Sequence, residues 1–266
     1  MNRNNSSACN IRIGRPNRSD PGVGLEWLEA RLLLAAPQVT TTVADLAYTE
    51  NDGAVVVDGG LTVTDADSTD LVSATITISV NYTTGQDVLS FTDQLGITGS
   101  WDADTGVLSL TGTAPVANYQ TALRLVKYTN TSESPSTATR TVSFVVNAGT
   151  ASVPATRNIT VAAVNDAPTD IALSIATVAE NQESGTAVGT LTTVDPDTGN
   201  TFTYTLVTGT GSTDNASFTI TGGTLKTAAV FDYETKSSYS IRVRSTDAGG
   251  LWTEKAFTIT VTDVIE

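Results

Sequence analysis

Ala74-Thr75-Ile76-Thr77-Ile78-Ser79-Val80 alternates small or polar side chains with apolar ones. Successive side chains of an extended chain point to opposite faces, so Ile76, Ile78 and Val80 share one face and Thr75, Thr77 and Ser79 the other. The pattern predicts a strand buried on one side. Alternation begins at Val39 and continues in Val107-Leu108-Ser109-Leu110, Thr141-Val142-Ser143-Phe144-Val145 and Asn158-Ile159-Thr160-Val161. Turn signals separate these runs: Asp52-Gly53, Gly59-Gly60, Asp104-Thr105-Gly106 and Asn147-Ala148-Gly149. One stretch departs from period two. Between Pro115 and Lys127, Val116, Tyr119, Leu123 and Val126 follow at spacings of three and four, which predicts a short helix bridging two strands.

A boundary falls at Ala163-Val164-Asn165-Asp166-Ala167-Pro168, where Asx residues and proline follow one strand and precede the next. Beyond it, strands are expected at 171–178, 187–193, 202–206, 239–244 and 255–261. Short strands at this spacing, with Gly and Asx turns, indicate a Greek-key sandwich. The expected architecture is all-β: two tandem β-sandwich domains over residues 37–165 and 166–266, after a disordered segment over residues 1–36. A chain of 266 residues suits two domains of this size.

Charge and composition narrow the function. The net charge of -14 argues against nucleic acid and suits solubility or cation binding. Residues 1–36 run the other way: Arg3, Arg12, Arg15, Arg18 and Arg31 stand against Asp20, Glu26 and Glu29, for a net of +2, which leaves -16 on the rest. The chain has no histidine, which removes the commonest general base and transition-metal ligand. Its one cysteine, Cys9, allows no internal disulfide and no thiolate zinc site. No apolar run approaches the length of a membrane-spanning helix. Leu25, Leu28 and Leu32 would share one face of a helix.

In the second half, acidic residues recur at strand ends: Glu180, Asp195 and Asp197 around Pro196, Asp232 and Glu234, Asp247, Asp263 and Glu266. Residues two apart in an extended loop point the same way, so the Asp-x-Asp and Asp-x-Glu pairs can each present two carboxylates to one ion. Calcium takes six to eight oxygens in irregular geometry and accepts ligands from separate loops, whereas magnesium demands a stricter octahedron. The competing reading is that Asp and Gly are simply the default turn residues of an acidic, soluble sandwich. A glycosidase would also use paired carboxylates. These acids stand at solvent-rich strand ends with no enclosing cleft, so the chain is read as not an enzyme. Trp101, Trp252 and Tyr233 offer flat faces to sugars, but packing accounts for them as well.

Five motifs in order resemble a cadherin repeat over the whole second domain: Val178-Ala179-Glu180-Asn181, Asp195-Pro196-Asp197, Phe231-Asp232-Tyr233-Glu234, Asp247-Ala248-Gly249 and Asp263-Val264-Ile265-Glu266. The first domain resembles the same superfamily more loosely, through Thr49-Glu50-Asn51 and Asp65-Ala66-Asp67. Asn147 stands where the second domain has Asp247, and the Asp-x-Glu pair is missing. Its stretch from Leu110 to Phe144 resembles long cadherin-like repeats of bacterial surface proteins.

The resemblance implies calcium at the joint, held by Glu50, Asn165, Asp166, Asp195, Asp197 and Asp247, with Asn165 supplying a neutral oxygen. It also implies an incomplete half-site of Glu180, Asp232, Glu234, Asp263 and Glu266 at the C-terminal end. Ala163, Ala167 and Ile265 replace polar positions of the family, and the Asp-x-Glu contribution is absent from the joint. One or two ions of weak affinity are therefore expected, with dissociation constants on the order of 10⁻⁴–10⁻³ M. Near the N-terminus, Leu28, Glu29, Arg31, Leu33 and Leu34 resemble the Leu-Glu-Pro-Arg-x-Leu-Leu motif of large exported bacterial proteins, with Ala30 in place of proline. That implies export or sorting and an extracellular or cell-surface location. Two functions remain open: calcium-dependent, homophilic or heterophilic adhesion to another surface protein, and a passive structural spacer without a partner.

Overall fold

Two apolar cores form, one from residues up to Val161 and one from residues after Asp170. The computed structural model describes residues 35–265. Residues 1–34, with the export-like motif and Cys9, lie outside the described residues, as does Glu266.

The first eleven strands are β1 (Gln38–Thr40), β2 (Leu46–Thr49), β3 (Val55–Val56), β4 (Thr62–Thr64), β5 (Asp70–Val80), β6 (Asp87–Ser90), β7 (Thr98–Asp102), β8 (Val107–Pro115), β9 (Lys127–Asn130), β10 (Arg140–Asn147) and β11 (Ala155–Ala162). They build a six-stranded sheet in the order β2-β11-β10-β5-β8-β7, a three-stranded sheet β3-β9-β6, and the pair β1-β4. The alternating run lies at the centre of the larger sheet, on β5. Ala74, Ile76 and Ile78 are buried, and Val80, at the strand end, is exposed. Leu71, Leu89, Leu110, Tyr119, Tyr128, Val142 and Phe144 complete one core with them.

The predicted helix is there and is shorter than the spacing implied. Helix α1 covers Val116–Leu123 and turns Tyr119, Ala122 and Leu123 inward. It links β8 of the large sheet to β9 of the small one. The Tyr119 hydroxyl donates to the Gly112 carbonyl at 2.7 Å, which satisfies the one polar atom of an otherwise apolar face. Full burial of Leu123 is worth about 1.5–3 kcal/mol.

A buried polar network also sits in this half. Asp87 accepts from the Tyr128 hydroxyl at 2.6 Å, from Asn130 Nδ2 at 2.6 Å and from Arg140 Nε at 3.3 Å. Asp87 and Arg140 are both fully enclosed. Removing either partner would leave a buried charge unpaired, which costs about 3–5 kcal/mol.

The remaining strands are β12 (Asp170–Leu173), β13 (Thr177–Ala179), β14 (Ala187–Val194), β15 (Thr203–Leu206), β16 (Phe218–Thr221), β17 (Thr224–Thr227), β18 (Ser238–Thr246) and β19 (Trp252–Thr262). They form two four-stranded sheets, β12-β14-β17-β16 and β13-β19-β18-β15. Ile171, Val178, Leu191, Phe218, Leu225, Ile241, Val243 and Ile259 close a second core between them.

The single strand expected over 171–178 is two strands. Ile171 and Val178 are seven residues apart, so one continuous strand would put them on opposite faces. Both point into the core, and the chain crosses between sheets to achieve it: β12 pairs with β14, and β13 with β19. At the crossing, a side chain on Gly189 would meet the Ile175 carbonyl oxygen at 2.4 Å, so glycine is required there. In both halves an early strand pairs in parallel with the last one, β2 with β11 and β13 with β19.

Candidate functional site

Ala163 to Thr169 connect β11 to β12, and three acidic loops converge on this connection. Glu50 follows β2. Its backbone N–H donates to the Ala162 carbonyl at 2.9 Å, and its Oε2 accepts from the Val164 N–H at 2.8 Å. The side chain thus folds over the start of the connection and is only 4 % exposed. Asp166 is half-buried, and its backbone N–H donates to Asp197 Oδ2 at 2.7 Å. Asp195 Oδ1 accepts from the Asp197 N–H at 2.8 Å and from Asn200 Nδ2 at 3.2 Å. That turn holds Asp195 and Asp197 beside the connection after β14.

The structure adds a carboxylate that the sequence reading missed. Glu133 lies on the loop between β9 and β10, and oxygens of Glu50, Glu133 and Asp166 all lie within 4.8 Å of one another. Its loop is the counterpart of the one between β17 and β18, which carries Asp232 and Glu234. The motif is gone and one acid remains. Only that loop's place in the strand order, between the ninth and tenth strands, pointed to it.

Three oxygens at the joint are left over. Glu50 Oε1, Asp166 Oδ2 and Asp195 Oδ2 are buried and receive no hydrogen bond among the described residues. Buried polar atoms are normally paired, so each lacks a partner that the protein does not supply. Burial pushes the Glu50 carboxyl above the usual range; the Val164 N–H opposes this, and the charges of Asp166, Asp197 and Glu133 add to it. Burial likewise raises Asp166, followed by the charges of Glu133, Asp197 and Asp195. A hard cation would satisfy the orphaned oxygens and neutralise the crowding.

Asp247 and Asn165 are arranged differently from the expectation. Asn165 directs its amide nitrogen, not its oxygen, at Asp247, with Nδ2 donating to Oδ2 at 2.9 Å. Asp247 Oδ1 accepts from the Leu251 N–H at 2.9 Å. Burial acts to raise this carboxyl, but the Asn165 amide and the N–H groups of Leu251, Gly250 and Gly249 outweigh it and hold it low. Asp247 is therefore satisfied within the protein, on the flank of the cluster.

Three residues of the second expected cluster come together. Oxygens of Glu180, Asp232 and Glu234 lie within 4.8 Å of one another. Here Glu180 is fully paired: Tyr233 N–H donates to Oε2 and Val264 N–H to Oε1, both at 2.8 Å. Those two donors hold its carboxyl low. The Glu234 backbone N–H lowers the Glu234 carboxyl, but burial and the charges of Glu180, Asp263 and Asp232 prevail and raise it. Glu266 cannot be placed with this group, since it lies outside the described residues.

Asp65 and Asp67 repeat the Asp-x-Asp turn at the other end of the first core. Asp65 Oδ1 accepts from the N–H groups of Asp67 and Ser68, each at 3.1 Å, and Asp67 Oδ2 from Ala35 N–H at 2.6 Å. Ala35 stands where the joint has Asp166, and Asn147 where it has Asp247, so two charges are missing. Of the three aromatics, Trp101 packs against the first core. Trp252 is 50 % exposed, with the Arg244 guanidinium 4.2 Å over its ring. Tyr233 is exposed beside the Glu180 cluster.

Comparison with known proteins places the resemblance on the same segment. Residues 174–262 match the family model described as Cadherin domain. Over 108 residues, 39% of this chain, the sequence is 36% identical to Halomucin of Haloquadratum walsbyi (strain DSM 16790 / HBSQ001). The match spans only 1% of that relative's length. Among solved structures, the fold is similar to the Protocadherin gammaB7 EC3-6 cis-dimer structure, with a TM-score of 0.48 and 18% identity over 86% of this chain and 50% of that one. It is similar to human Protocadherin-24 EC1-2, with a TM-score of 0.45 and 16% identity over 86% of this chain and 99% of that one. The segment from Ser174 to Thr262 in the second sandwich is thus similar in sequence to a cadherin repeat.

Proposed function

We propose that this chain is a calcium-binding extracellular module whose ion stiffens the joint between two sandwiches. The observation that carries the reading is the buried, unpartnered Glu50 Oε1, gathered with other carboxylates where the two sandwiches meet. Glu50, Asp166, Asp195 and Asp197 hold the ion, with Asn165 and Asp247 on the flank. Like charges at 4 Å cost about 4 kcal/mol per pair at an effective dielectric near 20. Without the ion they repel and the connection flexes; with it the charge is neutralised and the halves lock.

The role is binding and structural rather than catalytic. The match to the Cadherin domain model and the similarity to Halomucin support a cell-surface or extracellular setting. Adhesion, homophilic or to another surface protein, is the functional form the resemblance favours. A spacer without a partner is the simpler form, and the same joint serves both. Glu180, Asp232 and Glu234, with Asp263 beside them, make a second, partial calcium site. Residues 1–36 direct export, and the sandwiches span 37–165 and 166–266.

Thermal melting and small-angle scattering in millimolar calcium against chelator test the reading. Calcium at 100 times its dissociation constant stabilises the bound state by about 2.7 kcal/mol. Wild type should melt higher and scatter as a stiffer particle in calcium. Asp195→Ala should lose most of the gain, and Asp247→Ala part of it, with both sandwiches still folded. An equal shift in all three proteins, or none in wild type, refutes the joint site.

A further inference from the structure

The outward face of the β13-β19-β18-β15 sheet carries one aromatic ring and two guanidinium groups on a fixed frame. On β18, Ile241, Val243 and Ser245 are buried, so Arg242 and Arg244 between them point outward. The register sets Glu254 opposite Arg244 and Trp252 opposite Thr246, on the same face. Glu254 Oε2 accepts from Arg242 Nε at 2.8 Å, and its Oε1 from Arg244 Nε at 2.9 Å and Nη2 at 2.7 Å. Arg242 Nη1 also donates to the Thr210 carbonyl at 3.1 Å. One carboxylate thus fixes two guanidinium groups, and Arg242 and then Arg244 hold it below its usual range.

Trp252 stands at the end of this ladder. The Arg244 guanidinium lies 4.2 Å over its ring, yet the residue is 50 % exposed. β13 pairs only with residues 260–262 of β19, so among the described residues no strand flanks β19 beside Trp252 on the side away from β18.

Charge on this sheet runs against the rest of the chain. Glu254 is the only acid on its four strands, and two arginines share it. Lys255 points the other way and pairs with Asp170 at 2.8 Å. Asp247, in the turn after β18, is taken up by Asn165 and the Leu251 N–H. The face therefore holds one positive charge in excess, in a chain of net -14. Arg244 Nη1 and Arg242 Nη2 have no partner among the described residues.

Covering a tryptophan does not require this frame. A surface arginine ordinarily keeps its rotamer freedom, since ordering it costs conformational entropy. Here both arginines are ordered already, so a ligand that uses their free N–H groups loses little entropy on binding. The free Nη1–Nη2 edge of Arg244 suits a carboxylate, which it meets with two parallel hydrogen bonds. A flat indole packs on the C–H face of a sugar ring. The hydroxyls of Thr203, Thr205 and Thr246, on the same face, both donate to and accept from sugar hydroxyls. An acidic peptide would satisfy the arginines without drawing on the ring and the hydroxyls.

We propose that Trp252, Arg242 and Arg244 form a binding site for an acidic sugar chain of the uronic acid class, with a sugar ring on Trp252 and its carboxylate on the free edge of Arg244. The site goes beyond the calcium reading of the joint and does not depend on it.

Calorimetric titration of the full chain with hexagalacturonate tests this, in chelator so that calcium cannot bridge the acids of sugar and protein. Maltohexaose, a neutral chain of the same length, and poly-glutamate, an acidic peptide, are titrated beside it. The variants are Trp252→Ala, Trp252→Phe, Arg244→Gln and Arg244→Lys, with melting as the check on folding. Wild type should bind hexagalacturonate and neither control, and raised salt should weaken the binding. Trp252→Ala and Arg244→Gln should each weaken it by about tenfold or more. Trp252→Phe, which keeps a ring, should lose less than Trp252→Ala. Arg244→Lys, which keeps the charge without the fork, should fall between Arg244→Gln and wild type. Maltohexaose binding as tightly as hexagalacturonate would show that the arginines have no part. Poly-glutamate binding as tightly would make the face a docking surface for acidic protein. Either result overturns the proposal, as does wild-type affinity in Trp252→Ala or in Arg244→Gln, or no binding of hexagalacturonate to wild type. None of these outcomes bears on the joint ion, which the chelator removes throughout.

Discussion

Glu50 and Glu180 occupy equivalent places, each just after an early strand that pairs in parallel with the last one, and each accepts a backbone N–H from the residues that follow that last strand. They differ in one donor. Tyr233 N–H reaches the second oxygen of Glu180, and among the described residues nothing donates to that of Glu50. The difference has a pH signature. Glu50 and Asp166 have raised values in the folded protein, so without calcium they favour folding at low pH. That contribution is lost as pH rises from the ordinary carboxylate range through their raised values. Glu180 and Asp247 are held low and act oppositely, contributing above the ordinary range and losing it as pH falls through their depressed values. Glu50→Gln keeps an acceptor for Val164 and removes the charge. In chelator at neutral pH it should therefore melt above wild type, with the gap closing on acidification, and it should no longer respond to calcium. A variant less stable than wild type in chelator at neutral pH would mean that repulsion at the joint is negligible.

Among elements, the turn after β18 shows how tightly the connection is fitted. A side chain on Gly249 would come within 2.5 Å of the Asn165 side chain. Gly249→Ala should push Asn165 off Asp247 and cost a charge-assisted hydrogen bond, about 1–2 kcal/mol. Calcium affinity should fall with it. Unchanged melting and unchanged affinity would show that Asn165 has no part in the site. This turn was legible from Asp247-Ala248-Gly249, as were the strands with clean period-two alternation and the helix at Val116–Leu123. The break between β12 and β13 was not read, although the odd separation of Ile171 and Val178 contained it. Asp195 and Asp197 were legible through spacing, and Asp166 through the resemblance to a cadherin repeat. Glu133 was not, because a single acid in a serine-rich loop has no spacing to read; the hydrogen bonds of Asp87, Asn130, Arg140 and Thr198 bring it to the joint.

At the scale of the whole molecule, the two cores share no buried apolar residue among the described residues, and the halves meet through the connection and the acidic loops around it. Their strand arrangement has a mechanical consequence. Tension applied along the chain enters the first sandwich ahead of β2 and leaves through β11. These strands run parallel, Leu46 opposite Ile159 through Thr49 opposite Ala162, so the two pulls slide them past each other. Their hydrogen bonds lie across the load and share it, whereas a pulled hairpin would open one bond at a time. β13 and β19 repeat the arrangement from Thr177 opposite Thr260 to Ala179 opposite Thr262. Single-molecule stretching should therefore show one sharp rupture for each sandwich, and gradual yielding at low force would contradict it. A chain built this way carries tension from end to end through shear-loaded strand pairs, with its hydrophobic cores shielded behind them until those pairs fail.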